Sequence, residues 1–475
     1  MFLRQGLAIG LAAALAGGGS ARAETRTLIE ALAAAYSNNP SLLAARAQLR
    51  SVDENVPAAL AGWRPQVSLT GNAGREELTN TTQFAAFQNP SNYQPYRTNT
   101  TSKAALNTTT GEVTVTQPLW RGGQTRATTN HAENQVMGQR ARLIAAEEQV
   151  FTDTVNAFVS VIGNQEVLAL DVNNEQVLAR QLQATNDRFR VGEITRTDVA
   201  QAEAALAGAT ATRQTAEGNL QTARAQFQRM VGELPGALIE PQPLRLPVST
   251  LEEAKTLSEA NNPNVVAALF DDAAAKDNFD LQFSKLMPNV SLQGSVLNTS
   301  NVSGANELNH NAQIVASVTF PLYQGGSEYA AIRQARQQQQ QARRLIDDAR
   351  RTAVQNVISA WETYNAARSS IESTRSQIRA NRIALEGVQR EAIVGSRTTL
   401  DVLNAEQLLL TSRVTLVQNL VNLVSASYAV AAAVGRLTAR DLALPVPLYD
   451  ETAYYKAVRN RWIGTGDYAI NQPGR

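Results

Sequence analysis

Gln117-Pro118-Leu119-Trp120-Arg121-Gly122-Gly123 and Phe320-Pro321-Leu322-Tyr323-Gln324-Gly325-Gly326 are two copies of one pattern: proline, leucine, an aromatic ring, then paired glycines. They stand 203 positions apart (117 to 320). The same offset relates Val191-Gly192 to Val394-Gly395, Thr197-Asp198-Val199 to Leu400-Asp401-Val402, and Met230-Val231-Gly232 to Ala433-Val434-Gly435. Upstream the offset is 223 (27 to 250, 40 to 263, 65 to 288). There Thr27-Leu28-Ile29-Glu30-Ala31, Asn39-Pro40 and Arg64-Pro65-Gln66-Val67-Ser68-Leu69 recur as Thr250-Leu251-Glu252-Glu253-Ala254, Asn262-Pro263 and Met287-Pro288-Asn289-Val290-Ser291-Leu292. One insertion separates the two registers, so a unit of roughly 200 residues is duplicated in tandem, and the repeat decides the architecture.

Working outward from the glycine pairs, a strand precedes each and a long helix follows. Val67 to Ala73 alternates apolar or small residues with polar ones, the period of a two-faced strand. Its partner runs from Gly111 to Leu119 with Val113, Val115 and Gln117 on one face. The second repeat matches with Val290, Leu292, Gly294 and Val296, then Ile314, Ala316, Val318 and Phe320. The expected strands cover about 65–82, 105–120, 288–300 and 311–323. Gly74 to Leu106, rich in Asn and Thr, reads as a long extracellular loop with Phe84, Phe87, Tyr93 and Tyr96 as interface aromatics. From Gln124 to Arg190 there is no proline, which predicts roughly 100 Å of continuous helix at 1.5 Å per residue. Long helices are expected over 124–190, 196–231, 327–392 and 398–435. Val136, Leu143 and Val150, then Val155, Phe158 and Ile162, follow spacings of seven and then three and four, a coiled-coil-like seam. Ala204, Ala205, Ala207, Ala209 and Ala211 suit close approach between neighbouring helices. The resulting division is a signal peptide at 1–23, repeat one at 24–236, a proline-rich linker at 237–249, repeat two at 250–437, and a C-terminal segment at 438–475 whose last ~15 residues are expected to fray.

Composition narrows the class. Arg4, the apolar Leu7 to Ala16 and Ala21-Arg22-Ala23 form a secretory signal with its cleavage site. With no cysteine anywhere, disulfides, thiol chemistry and a lipidated N-terminal Cys are excluded. The net charge of +1 gives no reason to expect nucleic-acid binding. Aromatics at 5% are poor material for one large core and suit long helices side by side. After the signal no run of 18 apolar residues remains, so a membrane would be entered by strands. Taken singly, each hairpin could pack on a soluble core. Two hairpins flanked by Trp63, Trp120 and Tyr323 point to barrel strands with an interfacial aromatic girdle. Four strands cannot close a barrel, whereas three chains would supply twelve.

These motifs in this order, with Val394-Gly395-Ser396-Arg397-Thr398-Thr399-Leu400-Asp401-Val402-Leu403, resemble the TolC-like outer-membrane channel family, and within it the type I secretion exit ducts. The resemblance spans essentially the whole mature chain. It implies a mixed α and β membrane protein: a homotrimer with a 12-stranded β-barrel, four strands per chain, continued by a long periplasmic α-helical barrel. It also implies an inner-membrane ABC transporter or other pump and a periplasmic adaptor as partners, with outer-membrane lipid around the barrel. Carried over by residue, Arg397 should reach Thr197 and Asp198 in an aperture latch, and Asp401 with Asn404 should form the constriction ring. The helix tips at Val191, Gly192, Val394 and Gly395 should receive the adaptor. Ala392 stands where a linking Tyr is expected, and Asn404 where a second ring carboxylate is expected, so one lock is missing and the ring carries about half the usual charge. The residues also permit plainer roles. Arg397 is placed to cap its own helix pair, and Asp401 to sit in a first helical turn where the dipole favours an acid.

The remaining candidates read as structural. His131, in a polar helix start, and His310, in a hairpin loop, have no ligand cluster around them. Glu147-Glu148 and Asp347-Asp348 read as solvated faces of long helices. No phosphate loop, nucleophile–base arrangement, cofactor or metal site is found, so an enzyme is not expected. The rival functions are the same duct serving multidrug or metal efflux, and a pore-free periplasmic coiled-coil scaffold.

Overall fold

The computed structural model describes residues 27–86, 96–302 and 306–468. The expected signal segment and the loop residues Phe87 and Tyr93 lie outside these. Thr27 opens α1 (Leu28–Asn38) with a capping box: its hydroxyl accepts from the Glu30 N–H and the Glu30 carboxylate accepts from the Thr27 N–H. Pro40 starts α2 (Pro40–Asp53) at a position where a missing N–H costs nothing. α3 (Asn55–Leu60) then delivers the chain to the sheet.

Strands β1 (Gln66–Ala86) and β2 (Tyr96–Arg121) belong to repeat one, and β3 (Asn289–Ser300) and β4 (Leu308–Thr319) to repeat two. They form one antiparallel sheet in the order β1-β2-β3-β4. Register decides the faces. Val67 pairs with Val115 and Leu69 with Val113; Val113 pairs with Val296; Leu292 pairs with Ala316 and Val290 with Val318. One face therefore carries Val, Leu, Ile, Ala and Gly, with Gln117 at one end and Asn298 and His310 beside Gly111 toward the other. The other carries Ser68, Thr70, Thr114, Thr116, Ser291, Ser295 and Ser317, tied by Ser291–Ser317 (2.8 Å) and Gln313–Ser295 (3.2 Å) side-chain bonds. The apolar face is bare within the protomer: Leu69 is 78% and Ile314 80% exposed. It runs from Val67 to Ala73 on β1, about 20 Å along the strand at 3.4 Å per residue.

The first hairpin departs from the loop expected over Gly74 to Leu106. The ladder continues without a break to Ala86 opposite Tyr96. β4 ends at Thr319, so Phe320 to Tyr323 form an irregular exit. His310 lies within β4, facing and bonded to Asn298, instead of in a loop.

At the strand exit Gly122 takes φ 60° and Gly123 φ 86°. A Cβ on Gly122 would fall 2.3 Å from Met287 Cβ and 2.8 Å from the Ser284 carbonyl, so glycine is needed both for its backbone and for its space. Then α4 (Gln124–Arg190) runs for 67 residues, reverses, and α5 (Arg196–Val231) returns. Repeat two follows the linker with α6 (Leu251–Asn261), α7 (Pro263–Ser284), β3, β4, α8 (Ser327–Ile393) and α9 (Thr399–Ala433); α10 (Ala453–Val458) lies in the C-terminal segment. The buried positions of α4 keep a period of seven, at Val136, Leu143, Val150 and Ala157 and again at Asp171, Leu178 and Thr185. On α5 the seam is Ala202, Ala209, Ala216, Ala223 and Met230. Of the five alanines expected to pack closely, Ala209 alone is buried. Among the described residues α9 is long and apolar enough by composition to cross a membrane. It lies along α8, where Asn381 donates to the Leu408 carbonyl (3.2 Å) and Asn419 to the Thr374 hydroxyl (3.1 Å).

The core is built around the middle of α4. Leu32, Leu42 and Leu49 pack on Phe151, Val155 and Phe158, with Phe227 and Val231 from α5 and Leu437 from the C-terminal segment. Arg46 is buried at its centre, donating to the Tyr36 carbonyl (3.0 Å), with its guanidinium over the Tyr36 and Tyr449 rings.

Candidate functional site: an open sheet and two helix tips

The features that bear on function lie at opposite ends of the long helices. At one end, β1 and β4 are the outer strands of a sheet whose faces differ in polarity, and Trp63 and Trp120 stand half exposed at its foot, with Tyr323 more exposed beyond β4. At the other end are the two helix reversals. Gly192 (φ 82°) and Gly395 (φ 80°) end α4 and α8 in the left-handed region that only glycine takes without strain. The turns are copies: Glu193 N–H bonds the Arg188 carbonyl, and Ser396 N–H the Glu391 carbonyl, each at 3.0 Å. Val191 and Val394 project from them, largely exposed.

Both return helices start with a capping box. Asp198 accepts from the Thr195 N–H (3.0 Å) and hydroxyl (2.6 Å), and Asp401 does the same with Thr398 (3.0 and 2.9 Å). Hydrogen bonds from the Thr195 hydroxyl, and chiefly from the Thr398 backbone N–H, hold the two carboxyls below the usual range. Within one protomer Arg397 pairs with Glu391 (Nε–Oε2 2.9 Å), and the first tip has an ion pair of opposite sense, Arg188 with Glu193 (2.7 Å). Thr197 and Asn404 are exposed beside them.

The outer membrane efflux protein model matches residues 31–233 and 256–436, one span on each repeat. The chain belongs to the outer membrane efflux protein family. Among relatives, the outer membrane efflux protein BepC of Brucella suis is 36% identical over 93% of this chain and 92% of its own length. The alkaline protease secretion protein AprF of Pseudomonas aeruginosa is 22% identical over 80% of this chain and 79% of its own. Among solved structures, the Campylobacter jejuni CmeC outer membrane channel superposes with a TM-score of 0.73 at 15% identity, covering 91% of this chain and 89% of that one. The TolC-like resemblance and fold therefore hold, and this is an outer-membrane channel protein that extends into the periplasm.

Two sets of family-member residues escaped the sequence reading. The Asn-Pro pairs do more than start helices. Asn39 Oδ1 caps α2 through the Ser41 N–H (3.0 Å) while its Nδ2 donates to the Met230 carbonyl (3.0 Å). Asn262 repeats this with the Asn264 N–H (3.0 Å) and the Ala433 carbonyl (3.3 Å). Each ties the entry helices of a repeat to the end of its return helix; the shared 203-position offset of Met230 and Ala433 was the available signal. Glu147 and Glu148, expected to be solvated, are not. Glu147 accepts from the Ala439 N–H (2.6 Å) and Glu148 from the Leu437 N–H (3.3 Å), clamping the C-terminal segment to α4. Burial pushes both carboxyls up, Glu148 to about 8. His131, too, is partly buried, its Nδ1 2.7 Å from the Ala274 carbonyl of α7.

Proposed function

We propose that three copies of this chain close into one export duct, a twelve-stranded barrel across the outer membrane continued by a helical tunnel through the periplasm. The observation that carries this is the sheet: apolar on one face, polar on the other, uncovered by the chain's own core and open at both outer strands. Hydrocarbon does not satisfy the free backbone groups of an open edge. Joining β4 of one copy to β1 of the next removes every edge and turns the Ser/Thr face toward a water-filled lumen. Trp63, Trp120 and Tyr323 then stand at the membrane interface.

At the tips, Arg397 exchanges Glu391 for Thr197 and Asp198 of a neighbouring helix pair, and Asp401 with Asn404 rings the narrowest point. A single exposed Arg–carboxylate pair is weak in water, but threefold repetition makes it an effective latch. Arg397→Ala and Asp198→Asn should each raise single-channel conductance in planar bilayers. Asn at 198 keeps an acceptor for the cap, so the charge alone is tested. Unchanged conductance in both removes the latch.

The transported material in this reading is unfolded protein, driven by an inner-membrane ABC transporter through a periplasmic adaptor docked on Val191, Gly192, Val394 and Gly395. The kinship with AprF, a protease secretion protein by name, supports it. The higher identity to BepC favours a second reading, efflux of small molecules through the same duct. A deletion strain that loses secreted proteins while keeping its drug resistance supports secretion; the reverse outcome supports efflux.

A further inference from the structure

Beyond α10 the chain returns to the foot of the sheet. Arg64, between Trp63 and the first strand, donates from Nη1 to the Arg461 carbonyl (2.5 Å), and its guanidinium lies 5.1 Å from the centre of the Trp462 ring. The Arg461 guanidinium stacks 3.7 Å from the Tyr468 ring centre. Gly464, at φ 117°, folds the segment back so closely that a Cβ would meet the Tyr468 hydroxyl at 2.8 Å. Residues 461–468, within the stretch expected to fray, are therefore a folded loop tied to the base of β1. Yet two of its three large aliphatic and aromatic side chains are left uncovered: Trp462 is 65% and Ile463 89% exposed.

We infer that this loop is a membrane-interface anchor, with Trp462 and Ile463 seated in the headgroup region of the periplasmic leaflet beside the barrel. On the duct reading above, the surface is continuous with one that meets lipid: Arg64 adjoins Trp63 and lies two residues before Gln66, where β1 and its apolar face begin. The chemistry agrees. An indole with an uncovered isoleucine beside it suits the boundary of water and hydrocarbon. Arg64 and Arg461, each stacked on a ring, keep guanidinium groups at the level of lipid phosphates. The occupant is phospholipid; a second copy of the chain is the competing occupant.

The chain has no cysteine, so one introduced thiol reports one place. Ile463→Cys, spin-labelled in the full-length protein and reconstituted in phosphatidylethanolamine–phosphatidylglycerol vesicles, is compared with Val191→Cys at the exposed tip. Lipid contact lowers collisions with a water-soluble nickel complex several-fold relative to the tip while collisions with oxygen stay high. Adding Arg64→Gln restores the nickel collisions. Nickel access equal to the tip overturns the anchor. So does shielding from nickel and oxygen alike, which marks a protein contact. Single-channel conductance, unaltered by Ile463→Cys, verifies that the duct is intact and keeps this test separate from that of the duct itself.

Discussion

Glu147 and Glu148 show how a residue's setting overrides its local appearance. Two adjacent acids on a charged helix read as solvent-facing, but their partners are backbone N–H groups almost three hundred residues on. The sign of the consequence follows from the raised pKa. Burial favours the protonated Glu148, so its contribution to stability is complete below the ordinary value of 4.5 and is lost as pH rises toward about 8. Glu148→Gln keeps an acceptor for the Leu437 N–H without a charge to bury. Its stability should fall less steeply between those pH values than that of the parent, from which Glu148 takes up to roughly 1.4 kcal/mol per pH unit in that window. Parallel profiles for the two proteins would contradict the assignment. At the tips the first-turn position of Asp401, its plainer role in the sequence, is realised in the protomer, where the carboxylate also completes a capping box with Thr398.

Elements whose pattern comes from burial are the ones that sequence reveals. The heptad positions of α4 were readable because one side of that helix is dry, whereas the alanine-rich α5 hides its seam at Ala202, Ala209, Ala216 and Ala223 among other alanines. The upper half of the first hairpin was not. Beyond Ala73 the β1 residues on the apolar side become Arg75, Glu77, Thr79 and Thr81, so both faces are wet and the alternation that announces a strand is absent. Backbone pairing holds it as a ladder all the same. The two repeats are tied internally by their asparagines, and this predicts a graded effect. Asn39→Ser retains a cap but cannot reach the Met230 carbonyl and should cost about 1 kcal/mol. Asn39→Ala loses both bonds and should cost about 2 kcal/mol. Denaturation of the detergent-solubilised protein measures the pair; an undiminished Asn39→Ser would mean that the cross-link contributes nothing.

For the molecule as a whole, the two faces of the sheet are the decisive property, and neighbouring residues test it. Leu69 is on the apolar face and Thr70 on the other. Leu69→Arg places a charge in the hydrocarbon, about 2–4 kcal/mol per chain near the midplane, and should abolish the heat-modifiable trimer in outer-membrane fractions. Thr70→Arg should leave the trimer intact and change its ion selectivity. Equal tolerance at both positions would refute a lipid-facing sheet.

The amino-acid sequence was enough to establish a duplicated unit, its strand–glycine–helix order and its kinship, because each rests on local pattern repeated at fixed distance. Only the tertiary structure decided that the first hairpin is a continuous ladder, that Glu147 and Glu148 hold the C-terminal segment, and that Arg64 seats Trp462 at the foot of the sheet. These depend on which distant surfaces meet when the elements pack, and no periodicity along the chain encodes such a meeting.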